Sequence, residues 1–499
     1  MADDQYATAK QLLGSLPKWV GDKETQNRLA SYALYEDIYW NVPEAFKLLA
    51  RGSDSKPIYV PAAKTIVETY NRYLAPSATV IADPTFGTPE DQQAANLLIS
   101  GFLRREKFLS KFNMNKRFGI IRGDSAWYLH GDPLKPEGAR VSMFAINPGK
   151  LFPIYNPENI EELDGWHIAE PIVDEAGKDL IHRTTFMKQT GTSGPSQIVM
   201  TDELYEWDKS GLPGVEQGSP YKTIASGVLP SPIDYLPIYV IPNFSQPDSI
   251  WGSSELRGLE RILGAINQSI SDEELTLAMD GLGMYATDAG TPVDDNGDDA
   301  SWNLGPARVV ELPTGTSMKR ISGVLSVAPY QDHLKYLHER IDESMGLSPI
   351  AKGRVDVQVA ESGIALQLEL APILMKAEEG EAIINDVGGN LFFDLPKWLV
   401  AYEGSDYNPL LEKVRLIPKY GERVPANKKQ QVEEILALLE AGVIDDVYAR
   451  SKLRKLGYED MDEAAIVAGL AAQGDAMGAR VDQTVRSELD AANALRDQG

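Results

Sequence analysis

Five histidines, His130, His167, His182, His333 and His338, are the chain's candidates for proton transfer or metal ligation, and there is no cysteine. No two of them stand four residues apart, the spacing that sets two imidazoles on one helix face for zinc. His338-Glu339 begins like that motif, but Asp342 occupies the place of its second histidine. Gly149-Lys150 is followed by Leu151 and lacks the upstream glycine of a phosphate-binding loop. Gly123-Asp124-Ser125-Ala126-Trp127 starts like a nucleophile elbow and ends in tryptophan where that turn needs glycine; a strand turn fits better. Asp294-Asp295-Asn296-Gly297-Asp298-Asp299 is similar to a calcium loop, yet the sixth position is Asp299 and the twelfth is Gly305. A solvated turn is the simpler reading. Without cysteine, thiolate nucleophiles, thiolate metal sites and disulfides are excluded. Carboxylates abound, so a hydrolase built on a carboxylate pair stays open as an alternative. No catalytic residue, metal site or cofactor site is singled out.

The remaining chemistry is charge. The formal net charge is −25 over 499 residues, which argues against ordinary nucleic-acid binding by clustered Lys and Arg. Against that background Lys352 and Arg354 stand in a short loop, Pro349 to Glu361, where Val355, Val357 and Val359 alternate with polar residues. The loop needs elements to hold it. Ahead of it, Trp251-Gly252-Ser253-Ser254 suggests a helix capped by Ser253 or Ser254, with Leu256, Leu259, Leu263, Ile266 and Ile270 at helical spacing. The acidic turn follows. A second helix starts near Pro329 and aligns Leu334, Leu337, Ile341 and Met345. Ser348-Pro349 ends it. Ser362-Gly363-Ile364-Ala365-Leu366 then opens a third, long helix with Pro372 inside, where a kink is expected. The first two helices form an antiparallel pair with one apolar stripe each, a poor core without neighbours.

Elsewhere, residues 1–50 read as helical. Ala62–Leu74 is a helix, and Thr88-Pro89-Glu90 opens one expected to run through Phe112. From Gly119 to Ile241 prolines and glycines punctuate short β-rich pieces, among them 126–129, 165–169, 197–205 and 236–241. Residues 410–420 read as a strand, 427–440 and 447–456 as helices. The tail from Asp460 is rich in Ala, Asp and Gly. The acidic start, Met1-Ala2-Asp3-Asp4, is unlike a secretion signal, and Ala464–Ala472 is too short an apolar run to span a bilayer.

This order resembles the portal protein of tailed bacteriophages, of the siphophage, actinobacteriophage-like type. The resemblance rests on Ile241-Pro242-Asn243-Phe244 ahead of Gly252-Ser253-Ser254-Glu255-Leu256 and on Glu361-Ser362-Gly363-Ile364-Ala365-Leu366 with Leu370-Ala371-Pro372. Arg122–Trp127, Ile146-Asn147-Pro148 and Phe152-Pro153-Ile154 add to it. It covers roughly residues 30–440 and implies an α+β portal fold. Residues 1–250 would be a mixed α/β wing, 251–284 the first stem helix, 285–325 the clip and 326–348 the return stem helix. Residues 349–361 would be the channel loop, 362–428 the long kinked helix and wing return, and 429–499 a helical crown and tail. The resemblance further implies a non-enzymatic homo-oligomeric ring of about twelve copies at one capsid vertex, assembled in the host cytoplasm and resident in the virion. Its partners would be the terminase large subunit, a head-tail adaptor, the major capsid or scaffolding protein, and double-stranded DNA passing without sequence specificity; no membrane is implied. Lys352 and Arg354 would face the channel, and Asp294, Asp295, Asp298 and Asp299 the packaging motor. A capsid or baseplate component is a second alternative.

Overall fold

The computed structural model describes residues 23–49, 56–159, 162–189, 197–206, 220–247, 249–282, 284–291, 312–321, 327–354, 363–423, 428–445, 448–449 and 452–453. The described chain is α+β: helices and antiparallel sheets occupy separate stretches of sequence. Residues 1–423 form one compact unit and 424–499 another.

The first unit opens with α1 (Lys23–Trp40), which buries Tyr32, Leu34, Tyr35, Ile38 and Tyr39. Next come α2 (Ala62–Tyr73), strand β1 (Thr79–Ala82), α3 (Pro89–Arg105) and α4 (Phe108–Arg122). Thr88 caps α3, its hydroxyl accepting from the Asp91 amide at 3.2 Å. The single helix expected through Phe112 is two helices. Lys107 takes a left-handed φ of 52°, and the turn lets Phe108 drop into the core against Phe112 and Trp127.

Gly123, at φ 101°, ends α4 and hands the chain to β2 (Asp124–Gly131). A Cβ there would lie 2.6 Å from the backbone of Ser253, so this close approach needs glycine. Then follow β3 (Val141–Ile146), β4 (Leu151–Tyr155), β5 (Leu163–Val173), β6 (Asp179–Gln189), β7 (Gln197–Glu206), β8 (Lys222–Val228) and β9 (Ile238–Pro242). They make two antiparallel sheets, ordered β3-β2-β9 and β4-β5-β6-β7-β8. Strand β2 lies central in its sheet and buries Ala126, Trp127 and Leu129.

Helix α5 (Glu260–Leu282) leads to β10 (Met284–Thr287), which pairs antiparallel with β11 (Met318–Ile321). Helix α6 (Ala328–Met345) returns, α7 (Gly363–Glu403) runs 41 residues, and α8 (Asn408–Glu412) and β12 (Leu416–Lys419) close the unit. The first helix of the pair starts at Glu260, not behind Ser253 or Ser254; residues 255–258 are turns. Ser254 is instead buried, its hydroxyl donating to the Ile121 carbonyl at 2.6 Å and accepting from the Leu256 amide at 3.1 Å, which ties the turn before α5 to α4. The long helix runs to Glu403 and contains both Pro372 and Pro396. Strand β12 pairs with β1, returning the end of the unit to its beginning. In the second unit, α9 spans Lys428–Glu440.

Candidate functional site

The loop carrying Lys352 and Arg354 is built on a rigid base. Gly346 ends α6 at φ 65° with its amide on the Asp342 carbonyl, a left-handed stop that glycine makes without strain. A Cβ on Gly346 would meet Pro372 at 3.2 Å, so this stop packs directly on the proline turn of α7. Residues 348–354 close on themselves. The Arg354 amide donates to the Pro349 carbonyl and the Gly353 amide to Ile350, both at 2.9 Å. Ala351 is buried.

The two cations differ. Lys352 is half-buried and donates to the Asp342 carboxylate at 2.5 Å, one turn back on α6. Arg354 is exposed. The remainder of the loop, 355–361, lies outside the described residues, as do Asp294, Asp295, Asp298 and Asp299. What the structure describes of the expected clip is its root. There β10 meets β11, and the Asp288 carboxylate accepts from the Ser317 amide at 2.5 Å.

Below the loop, α5 and α6 run antiparallel. Thr276 donates to the Tyr330 hydroxyl at 3.4 Å, and Gln331 to the Glu273 carboxylate at 3.2 Å. Their near halves are packed: Leu263, Ile266, Leu337, Ile341 and Met345 are buried. Their far halves are not. No residue of α6 before Leu337 is buried, while Tyr336 is 50% and Leu277 47% exposed.

Three polar side chains on the inner face of α5 grip extended backbone. Asn267 accepts from the Val60 amide at 2.8 Å, Ser271 from the Ile58 amide at 2.8 Å, and Gln268 from the Leu49 amide at 2.6 Å. They do what a neighbouring strand would do and satisfy amides that have no strand partner. Sequence reading missed this grip. Its one signal was the intrusion of Asn267 and Ser271, four apart, on an otherwise apolar stripe.

The turn before α5 is locked by charge. Lys376 of α7 pairs with Glu255, and burial lowers its amine pKa to about 8. Asp124 is fully buried and accepts from the Tyr32 hydroxyl at 2.5 Å and the Gly252 amide at 2.6 Å. Burial raises its carboxyl above the usual range, against the lowering pull of those bonds. Beside it the Arg28 guanidinium lies 3.7 Å from the centroid of the Trp251 ring and donates to the Pro148 and Leu151 carbonyls, both at 2.9 Å. Asp124 thus ties α1 and the turn before α5 to β2, and Ser125 beside it is buried.

The histidines are dispersed. His167 meets the Thr185 hydroxyl at 2.8 Å, and burial lowers its pKa to about 4. His182 pairs with Asp202 at 2.5 Å. His130 meets the Tyr128 hydroxyl at 2.9 Å, and His338 lies on α6. Among the described residues no three His, Asp or Glu side chains come together to hold a metal ion, and no described helix is long and apolar enough to cross a membrane.

No family model matches the sequence, and no curated protein does. Among solved structures the chain is similar to one described as "Virion of native gene transfer agent (GTA) particle". The TM-score is 0.43 and the identity 13%, over 86% of this chain and 93% of that one.

Proposed function

We propose that the chain is a structural protein of a tailed-phage virion, specifically the portal: a ring at one capsid vertex through which DNA is packaged and ejected. One observation carries the reading. A pair of antiparallel helices is anchored in an α+β body at one end and is bare of that body at the other. A strand pair stands at its far tip, and a compact loop and a 41-residue helix stand at its root. That order fits the stem, clip root, channel loop and long helix that the sequence resemblance implies. The bare far half supports an assembly, because exposed Leu277 and Tyr336 gain burial only against neighbours.

On this reading the wing is the body of sheets and helices, and the terminase large subunit docks at the far tip of the pair. The head-tail adaptor and the capsid or scaffolding protein meet the outside of the ring. The net charge of −25 is compatible with double-stranded DNA passing along an acidic wall that repels it weakly and uniformly. Arg354 is the exposed cation of the loop, whereas Lys352 is already held by Asp342. The protein does no catalysis; ATP hydrolysis belongs to the motor.

Negative-stain images and native mass spectra of the purified protein test the reading. Closed rings of about twelve copies with a central hole are expected. A protein that stays monomeric at micromolar concentration, or forms sheets or shells, overturns it.

A further inference from the structure

The root of the helix pair carries opposite charges on two surfaces that form no ion pair with each other among the described residues. Arg257, in the turn before α5, and Arg261, on its first turn, are exposed. The Arg257 guanidinium has the Ser253 hydroxyl at 3.4 Å; among the described residues neither arginine forms an ion pair. The second surface is a groove of about 720 Å³ between the end of α6 and the start of α7. Leu347, Pro349, Leu368 and Pro372 line it with apolar surface, and Leu368 is 70% exposed. Glu339, Glu343 and Glu369 stand around it. The first two have only exposed partners on their own helix, Lys335 at 3.9 Å and Arg340 at 2.7 Å.

The register of the pair sets Arg261 near the height of Glu343. Thr276 faces Tyr330 and Glu273 faces Gln331. Each step toward the root lowers one number and raises the other, so Arg261 lies level with Ser344, next to Glu343. A rotation about a ring axis preserves height along that axis and changes only azimuth. Groups that match in height and oppose in charge, and form no ion pair within one chain among the described residues, are therefore what a head-to-tail cyclic contact brings together.

We propose that the groove receives Arg257 and Arg261 of a second copy of this chain. This deepens the ring reading and rests on it. The methylene stems of the arginines lie along Leu368, Pro349 and Pro372, a fit for a side chain that is apolar along its length and charged at its head. The guanidinium groups pair with Glu339, Glu343 and Glu369, where a planar fork can bind a carboxylate with two parallel hydrogen bonds.

Charge reversal tests the contact by native mass spectrometry. The wild type is measured first: a monomer there sinks the ring reading, and this contact with it. Given wild-type rings, Arg257→Glu with Arg261→Glu should shift the signal from ring to monomer, and Glu339→Arg with Glu343→Arg and Glu369→Arg should do the same. All five changes in one chain should restore the ring. All five positions are exposed, so circular dichroism and melting of each variant should match the wild type.

The absence of native cysteine permits a second readout that does not depend on disassembly. An Arg261→Cys chain mixed with a Glu369→Cys chain should give an oxidised dimer band that neither chain gives alone. Rings that survive both reversals overturn the contact and leave the ring reading standing. Disassembly by the arginine reversal alone also overturns it, since the arginines then meet some other surface. A dimer band from either single-cysteine chain by itself replaces the head-to-tail contact with a self-paired one.

Discussion

The five-stranded sheet and the α5–α6 pair are both rich in polar residues, and they use them in opposite ways. In the sheet, polar side chains find one another across strands. His167 meets Thr185, His182 meets Asp202, and Arg183 meets Glu203, each pair joining adjacent strands. On α6, by contrast, exposed charges are joined along their own helix, as with Lys335 to Glu339 and Arg340 to Glu343. Such exposed pairs are worth little, a few tenths of a kcal/mol each. The sheet is closed by its own contacts. The pair is closed only at its root, and its remaining surface is available to neighbours. A region that leaves its interactions unmade in the monomer is where assembly would be decided.

The largest test of this contrast is packing along α5. Ile266 is fully buried, so Ile266→Ala should cost about 2–5 kcal/mol of unfolding free energy. Leu277→Ala, at the exposed end, should cost well under 1 kcal/mol in the monomer and weaken assembly instead. Chemical denaturation of both variants checks this, and equal losses would erase the distinction between root and tip.

The sheet should answer to pH through His167. Its folded pKa of about 4 lies below the ordinary value of 6.5 because burial disfavours the charged ring, with Arg183 adding to the effect. The unfolded chain therefore binds the proton more readily. The stability contributed by the neutral ring is complete above pH 6.5 and is lost as pH falls toward 4, on the order of 2–3 kcal/mol in all. His167→Gln should flatten the stability profile in that window; an unchanged slope there would mean that other groups set the acid sensitivity.

Asn267 tests the root from its polar side. Removing its carboxamide in Asn267→Ala leaves the Val60 amide without its partner, a loss of about 1–3 kcal/mol. Hydrogen exchange should show the Val60 amide losing protection while amides in the sheet keep theirs.

The smallest effect on stability is expected in the loop. Lys352→Gln removes one partly exposed ion pair, at a cost of about 1 kcal/mol or less. Arg354→Gln should leave stability unchanged. Both changes together should leave rings intact and alter the packaging or retention of DNA. Assembled particles that package and retain genomes as the wild type does would remove this loop from the DNA path.

Local signals in the sequence decided the kinds of element and many of their ends. Thr88-Pro89 starts α3 because a hydroxyl cap and a proline suit only a first turn. Ser348-Pro349 marks the end of α6 to within a few residues, and the left-handed Gly346 stops the helix earlier, at Met345. The strands at Asp124–Gly131 and Gln197–Glu206 fall where short β-rich pieces are bounded by turn residues. The errors are cases where distant contact overrode local preference. Ser254 has the chemistry of a helix cap, yet it serves the Ile121 carbonyl, and the helix waits until Glu260. Phe112 continues a helical pattern, yet burial of Phe108 against Trp127 favours a left-handed Lys107 and a break. Pairing was not legible at all. Thr79 meets Lys419 across the length of the unit, Lys352 meets Asp342 on the preceding helix, and Asn267, Gln268 and Ser271 hold segments more than two hundred residues away. Periodicity and capping express each residue's preference for its immediate backbone. Which surfaces face one another is settled by the summed burial and hydrogen bonding of the folded chain, which no local window contains.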